Sequence, residues 1–99
     1  MCNSQLPADS PLDELMLAES RLVALTAESG KEQIATQFTQ FRELLWQLIV
    51  GAPDSAPYAP AWNLINLHAK IDLLYFEQGN LAALARVQEK IKEAIQLLP

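Results

Sequence analysis

The chain has 99 residues, of which 51% are apolar and 19% charged. That is too apolar for a disordered chain and too short for two ordinary domains, so a single packed core is expected. Seven basic residues stand against twelve acidic ones, a net charge of −5, which argues against nucleic-acid binding by charge neutralisation.

Residues 1–9 are polar or broken by Pro7 and are expected to be flexible. Cys2 lies here; as the single cysteine it can form no internal disulfide and reads as an incidental exposed thiol. The first residues show neither a basic nor an apolar leader pattern. The longest apolar run, Leu44 to Val50, is interrupted by Gln47 and falls far short of the ~20 residues of a membrane span. A cytoplasmic protein with no membrane contact is expected.

Ser10-Pro11 opens a helix, with Ser10 as N-cap, Pro11 at the first helical position, and Asp13 and Glu14 at the positive end of the dipole. The pattern runs to about Ser29, where Gly30 supplies a left-handed stop. A second helix is predicted from Lys31 to Val50 on the stripe Ile34, Phe38, Phe41, Leu45, Leu48 and Ile49, and Gly51 ends it. Residues 51–60, GAPDSAPYAP, hold three prolines and a glycine and read as a linker. A third helix starts at Pro60 and runs to about Gln78, stopped by Gly79. Asn80 caps a fourth, with the stripe Leu81, Leu84, Ile91, Ile95 and Leu98. No segment alternates as a strand would. The expectation is one all-α domain over residues 10–99, with a hairpin at 10–51, a Pro-rich linker at 52–59 and a hairpin at 60–99.

The two hairpins resemble each other. At an offset of 49, Pro11, Leu15, Leu25, Glu28 and Gly30 match Pro60, Leu64, Leu74, Glu77 and Gly79. Past the glycine the offset becomes 50, pairing Ile34 with Leu84 and Phe41 with Ile91. Two αα-hairpins that cannot bury their apolar faces alone cover each other in an up-and-down four-helix bundle, with helices of ~19 residues and ~28 Å. The punctuation of the second hairpin, Ala61-Trp62, Gln78-Gly79-Asn80 and Leu98-Pro99, resembles that of a tetratricopeptide repeat. The 17 residues from Trp62 to Gly79 do not fit that unit of about 34, so the likeness implies shared hairpin chemistry only.

The third helix is apolar nearly all round. On a wheel of ~100° per residue, one arc holds Leu74, Leu67, Ile71, Leu64 and Tyr75, and another holds Ile65, Phe76, Ala69, Trp62 and Leu73. Together they span about 260°, far more than the ~100° stripe of a helix covered on one side. A second cover, by a partner protein or another copy of the chain, is expected. The surface assigned to it is Trp46, Tyr58, Trp62, Ile65, Ala69 and Phe76, with the aromatics as anchors.

Three ionisable residues interrupt the apolar faces. His68 and Asp72 are four apart on the third helix and can touch. Glu19 holds the place in the first helix that His68 holds in the third, so a two-fold relation between the hairpins would bring them together. The plain reading is a buried structural polar group; a ligand contact is the sharper one. No nucleophile is placed beside His68, and three or four metal ligands are lacking, so neither an enzyme, a metal nor a cofactor is expected. A phosphoryl-carrying histidine is exposed, whereas the wheel surrounds His68 with apolar side chains. The function expected is a small acidic protein–protein interaction module that is a regulator, adaptor or chaperone-like protein and self-associates, most simply as a dimer, through the third helix. The alternative is a small-ligand-binding bundle using Glu19, His68 and Asp72 in an apolar pocket.

Overall fold

The computed structural model describes residues 10–99, and the expectations for residues 1–9, Cys2 included, lie outside the described residues. Helix α1, Pro11–Val23, begins as its sequence dictates, with Pro11 where no N–H is needed and Asp13 and Glu14 in the first turn. The Ser10 side chain makes no capping bond; its carbonyl accepts from the Glu14 N–H at 3.1 Å.

α1 stops at Val23, not near Ser29, because Thr26 competes for the backbone. Thr26 is extended, its hydroxyl accepts from the Glu28 N–H at 3.3 Å, and its own N–H donates to the Ser29 hydroxyl at 3.1 Å. A short 3-10 turn, Ala27–Ser29, follows, and Gly30 at φ 95° swings the chain into the next helix. The carbonyls at and just beyond the end of α1 are gripped from across the bundle. The Gln88 side-chain amide donates to the carbonyls of Leu22, Val23 and Leu25, closest to the last at 2.8 Å.

Helix α2, Lys31–Val50, keeps its expected bounds and buries Ile34, Phe38, Phe41, Leu45 and Ile49. In the linker, the Asp54 carboxylate accepts from the Ala56 N–H at 3.1 Å, and a 3-10 turn, Ala56–Tyr58, leads on. Helix α3 covers 59–77 in three pieces: α-helical Ala59–Asn63, π-helical Leu64–Ala69 and α-helical Lys70–Glu77. In the wide turn the Lys70 N–H donates to the Ile65 carbonyl, five residues back. The reason lies in the spacing of the buried residues Ala61, Ile65, Ala69, Leu73 and Phe76. A regular helix drifts ~40° with each four-residue step, so three such steps would carry the stripe ~120° round the axis. One underwound turn cancels the drift and holds all five against the core.

Gly79, at φ 110°, ends α3. The Asn80 N–H donates to the Tyr75 carbonyl and the Gly79 N–H to that of Phe76, each at 3.0 Å. Asn80 was expected to cap the next helix directly; instead its carbonyl accepts from Ala83 in an intervening turn, and helix α4 spans Ala83–Gln96. α4 is the most clearly amphipathic of the four, burying Ala83, Leu84, Val87, Ile91 and Ala94.

Packing neighbours are α1 with α2, α2 with α3, α3 with α4, and α4 with α1, the closed ring of an up-and-down bundle. The helix lengths are less even than expected: 13 residues in α1, 20 in α2 and 14 in α4. The core is one cluster drawn from all four helices, with Leu15, Leu22, Ile34, Phe41, Leu45, Ile65, Val87 and Ile91 fully enclosed. The internal repeat holds for α2 and α4, where Ile34 and Leu84, and Phe41 and Ile91, are buried in pairs. It fails for α1 and α3. Leu15, Ala18 and Leu22 are buried, while their counterparts at the offset of 49 are half-buried Leu64 and exposed Leu67 and Ile71.

Candidate interaction surface

That failure defines the most distinctive surface of the molecule. α3 carries two apolar stripes. The inner one is the core stripe just described. The outer one is Leu67, Ile71, Leu74 and Tyr75, which retain 53%, 52%, 48% and 51% of their surface in solvent. Their spacing of four, three and one puts them on one face. Isolated apolar residues on a surface are ordinary, but four large ones in a row along one helix are a patch. Lys70, Glu77 and Gln78 border it, with His68.

The structure therefore exchanges the two arcs. Ile65, Ala69 and Phe76 were expected on the outer surface; they are 0%, 0% and 4% exposed and belong to the core. The reason is the π turn, which aligns them with Ala61 and Leu73 and leaves the Leu67–Ile71–Leu74 stripe facing out. Nothing in a wheel of constant pitch distinguishes the two arcs.

The three aromatics at the other expected positions are divided. Trp46 is half exposed, and Trp62 and Tyr58 are partly buried against the core. Trp46 and Trp62 pack with ring centroids 5.1 Å apart and planes tilted by 42°, closing the seam between α2 and α3. With Arg42 and Glu43 they line an open cleft of about 200 Å³, and Arg42 reaches the Asn66 side-chain carbonyl at 3.5 Å. Tyr58 lies elsewhere. With Leu12, Met16, Leu48, Ile95 and Leu98 it lines an apolar cleft of about 220 Å³ at one end of the bundle.

Glu19, His68 and Asp72 do not converge. Glu19 is half-buried on α1 and His68 is exposed on α3, and those helices are not neighbours in the ring. His68 thus stands in solvent at the edge of the outer stripe rather than inside an apolar arc. Lys70, two residues on, lies across the stripe from it. Asp72 is buried, at 8% exposed, but turns away from His68 toward α4. Its Oδ1 accepts from Arg86 Nε at 3.1 Å, and its Oδ2 accepts from Lys90 Nζ. Burial alone would raise the Asp72 pKa; the hydrogen bonds and charges of Lys90 and Arg86 outweigh it and hold the carboxyl below its ordinary value. Sequence spacing within one helix points to His68 as its partner, whereas the true partners come from the neighbouring helix at positions four apart, Arg86 and Lys90.

Among the described residues no three His, Cys, Asp or Glu side chains are grouped to hold a metal ion, and no helix is long and apolar enough to cross a membrane. Five surface clefts are lined by residues other than Glu19, His68 and Asp72. Neither a family model, nor a curated protein, nor a solved structure matches the chain.

Proposed function

We propose that the protein is a non-enzymatic protein–protein interaction module that docks through the outer face of α3. The observation that supports this is the exposed stripe Leu67, Ile71, Leu74 and Tyr75 on a helix whose other face is already committed to the core. An α-helix covered on one side needs one apolar stripe, and a second one lowers solubility unless something covers it. The stripe has the four-and-three spacing with which helices pack against helices, so its natural complement is an apolar helical face of another protein surface. In such a module the bundle is the scaffold, and regulation, adaptation or chaperoning is the task of the docked face.

A photo-crosslinking side chain at position 71, compared with one at exposed Lys92 on α4, tests this in native extract. Position 71 is expected to give a defined protein adduct that wild-type chain competes away and Ile71→Glu chain does not. Equal labelling from both positions, or equal competition by Ile71→Glu, refutes docking through this face.

A further inference from the structure

We propose that the occupant of the stripe is a second copy of the chain, paired antiparallel about a two-fold axis between residues 72 and 73 of α3. This rests on the docking reading above and adds the partner and its register. Ile71 and Leu74 take the two core positions of a heptad, with Leu67 and Gln78 one step beyond at either end. In an antiparallel pair each core position of one kind faces the other kind. Ile71 then meets the partner's Leu74, Leu74 meets the partner's Ile71, and Leu67 is covered by the stem of the partner's Gln78.

The charges select this register. Lys70 and Glu77 are seven residues apart on the same border of the stripe, and among the described residues neither takes part in an ion pair. When Ile71 faces Leu74 of a two-fold mate, Lys70 lies beside the partner's Glu77, and Glu77 beside the partner's Lys70. On the opposite border His68 lies beside the partner's Tyr75. Every flanking charge is matched twice by one operation, the self-complementarity that an isologous interface requires. A parallel pair would stack the apolar residues equally well but set Lys70 beside the partner's Tyr75 and leave Glu77 without a cation. The charge pattern therefore separates two arrangements that the apolar stripe does not.

Four half-exposed side chains cover less than the ~800 Å² per partner of a standard stable interface, so the pairing is weak and reversible. Sedimentation equilibrium on the full chain, up to ~1 mM, tests it. Wild type is expected to dimerise, and Ile71→Glu to remain monomeric with an unchanged helical spectrum. Lys70→Glu and Glu77→Lys, each of which turns two attractions into two repulsions, are expected to raise Kd on the order of tenfold at low salt, and the double variant to restore it. A wild-type chain that is monomeric at ~1 mM overturns self-pairing, while competed labelling of another protein from position 71 would leave the docking reading standing. A dimer indifferent to Ile71→Glu overturns the surface itself. A dimer lost in Ile71→Glu but indifferent to the charge reversals overturns the antiparallel register.

Discussion

Removing a residue from the middle of a helix rotates everything beyond it by ~100° and is ordinarily ruinous, but the π turn of α3 predicts an exception. Leu67 is half exposed, and its side chain makes no hydrogen bond. Deleting it converts the core intervals of α3 from four, four, four, three to four, three, four, three, which a regular α-helix satisfies on one face. The loss is the half-buried part of one leucine, about 1 kcal/mol. The gain is a turn of ordinary i→i+4 hydrogen bonds in place of wide ones, of similar size. The expected change in folding free energy is therefore within ~1 kcal/mol of zero. Deletion of exposed Glu89 in α4 is the control. It brings Lys92 to the place of Ile91, which is fully enclosed, and combines lost burial with a buried ammonium at a cost of ~4 kcal/mol or more. Urea unfolding followed by far-ultraviolet circular dichroism measures both. If deletion of Leu67 costs as much as deletion of Glu89, the wide turn is not what reconciles the core spacing of α3.

The polar contacts give further tests. Asp72→Asn is expected to cost about 2 kcal/mol at neutral pH, at the low end for a buried pair because Arg86 is half solvent-exposed. Because the folded carboxyl titrates below its unfolded value, this contribution is present above the unfolded value of about 4 and is lost as pH falls through the folded one, so wild-type and variant urea midpoints should converge as the pH is lowered below about 4. His68→Leu should change stability by no more than about 0.5 kcal/mol, since the imidazole is exposed; a loss of several kcal/mol in thermal unfolding would place it in a buried pair after all. Gln88→Leu should cost ~1–2 kcal/mol and speed amide exchange at the end of α1 and in the following turn, with α3 unaffected; uniform acceleration over all helices would mean that the amide is no local clamp.

Much of the bundle is readable from local signals. Pro11, Gly30, Gly51 and Gly79 all fall at helix boundaries or turns, and α2 buries the stripe that its periodicity picks out, Leu48 only in part. The early end of α1 left only a weak trace: Thr26 is of a residue type that favours helix caps, although Gly30 is the more conspicuous stop. The orientation of α3 was not readable. Both of its arcs are apolar, and the choice between them depends on a change of helical pitch that arises from tertiary packing. The interval of four repeated three times among Ala61, Ile65, Ala69 and Leu73 is the only trace it leaves in the sequence. The partners of Asp72 were hidden for a related reason. They lie on α4, and pairing rules within a single helix name His68 instead.

The apolar cleft at the end of the bundle carries a topological consequence. Leu12 and Met16 from the first turns of α1 line it together with Ile95 and Leu98 from the end of α4, so residues 10 and 99 lie on the same side of the molecule. A bridge of a few residues from Pro99 to Ser10 would close the chain into a circle without crossing the core. The exposed segment 53–55, tied down by the Asp54 carboxylate and by the Ser55 carbonyl, which accepts from the Tyr58 N–H, is the place to reopen it. The helices would then follow one another in the order α3, α4, α1, α2, with every packed pair retained. In that circular permutant the contact between α4 and α1, sealed by Gln88, becomes local in sequence, and the one between α2 and α3 becomes the long-range closure of the ring.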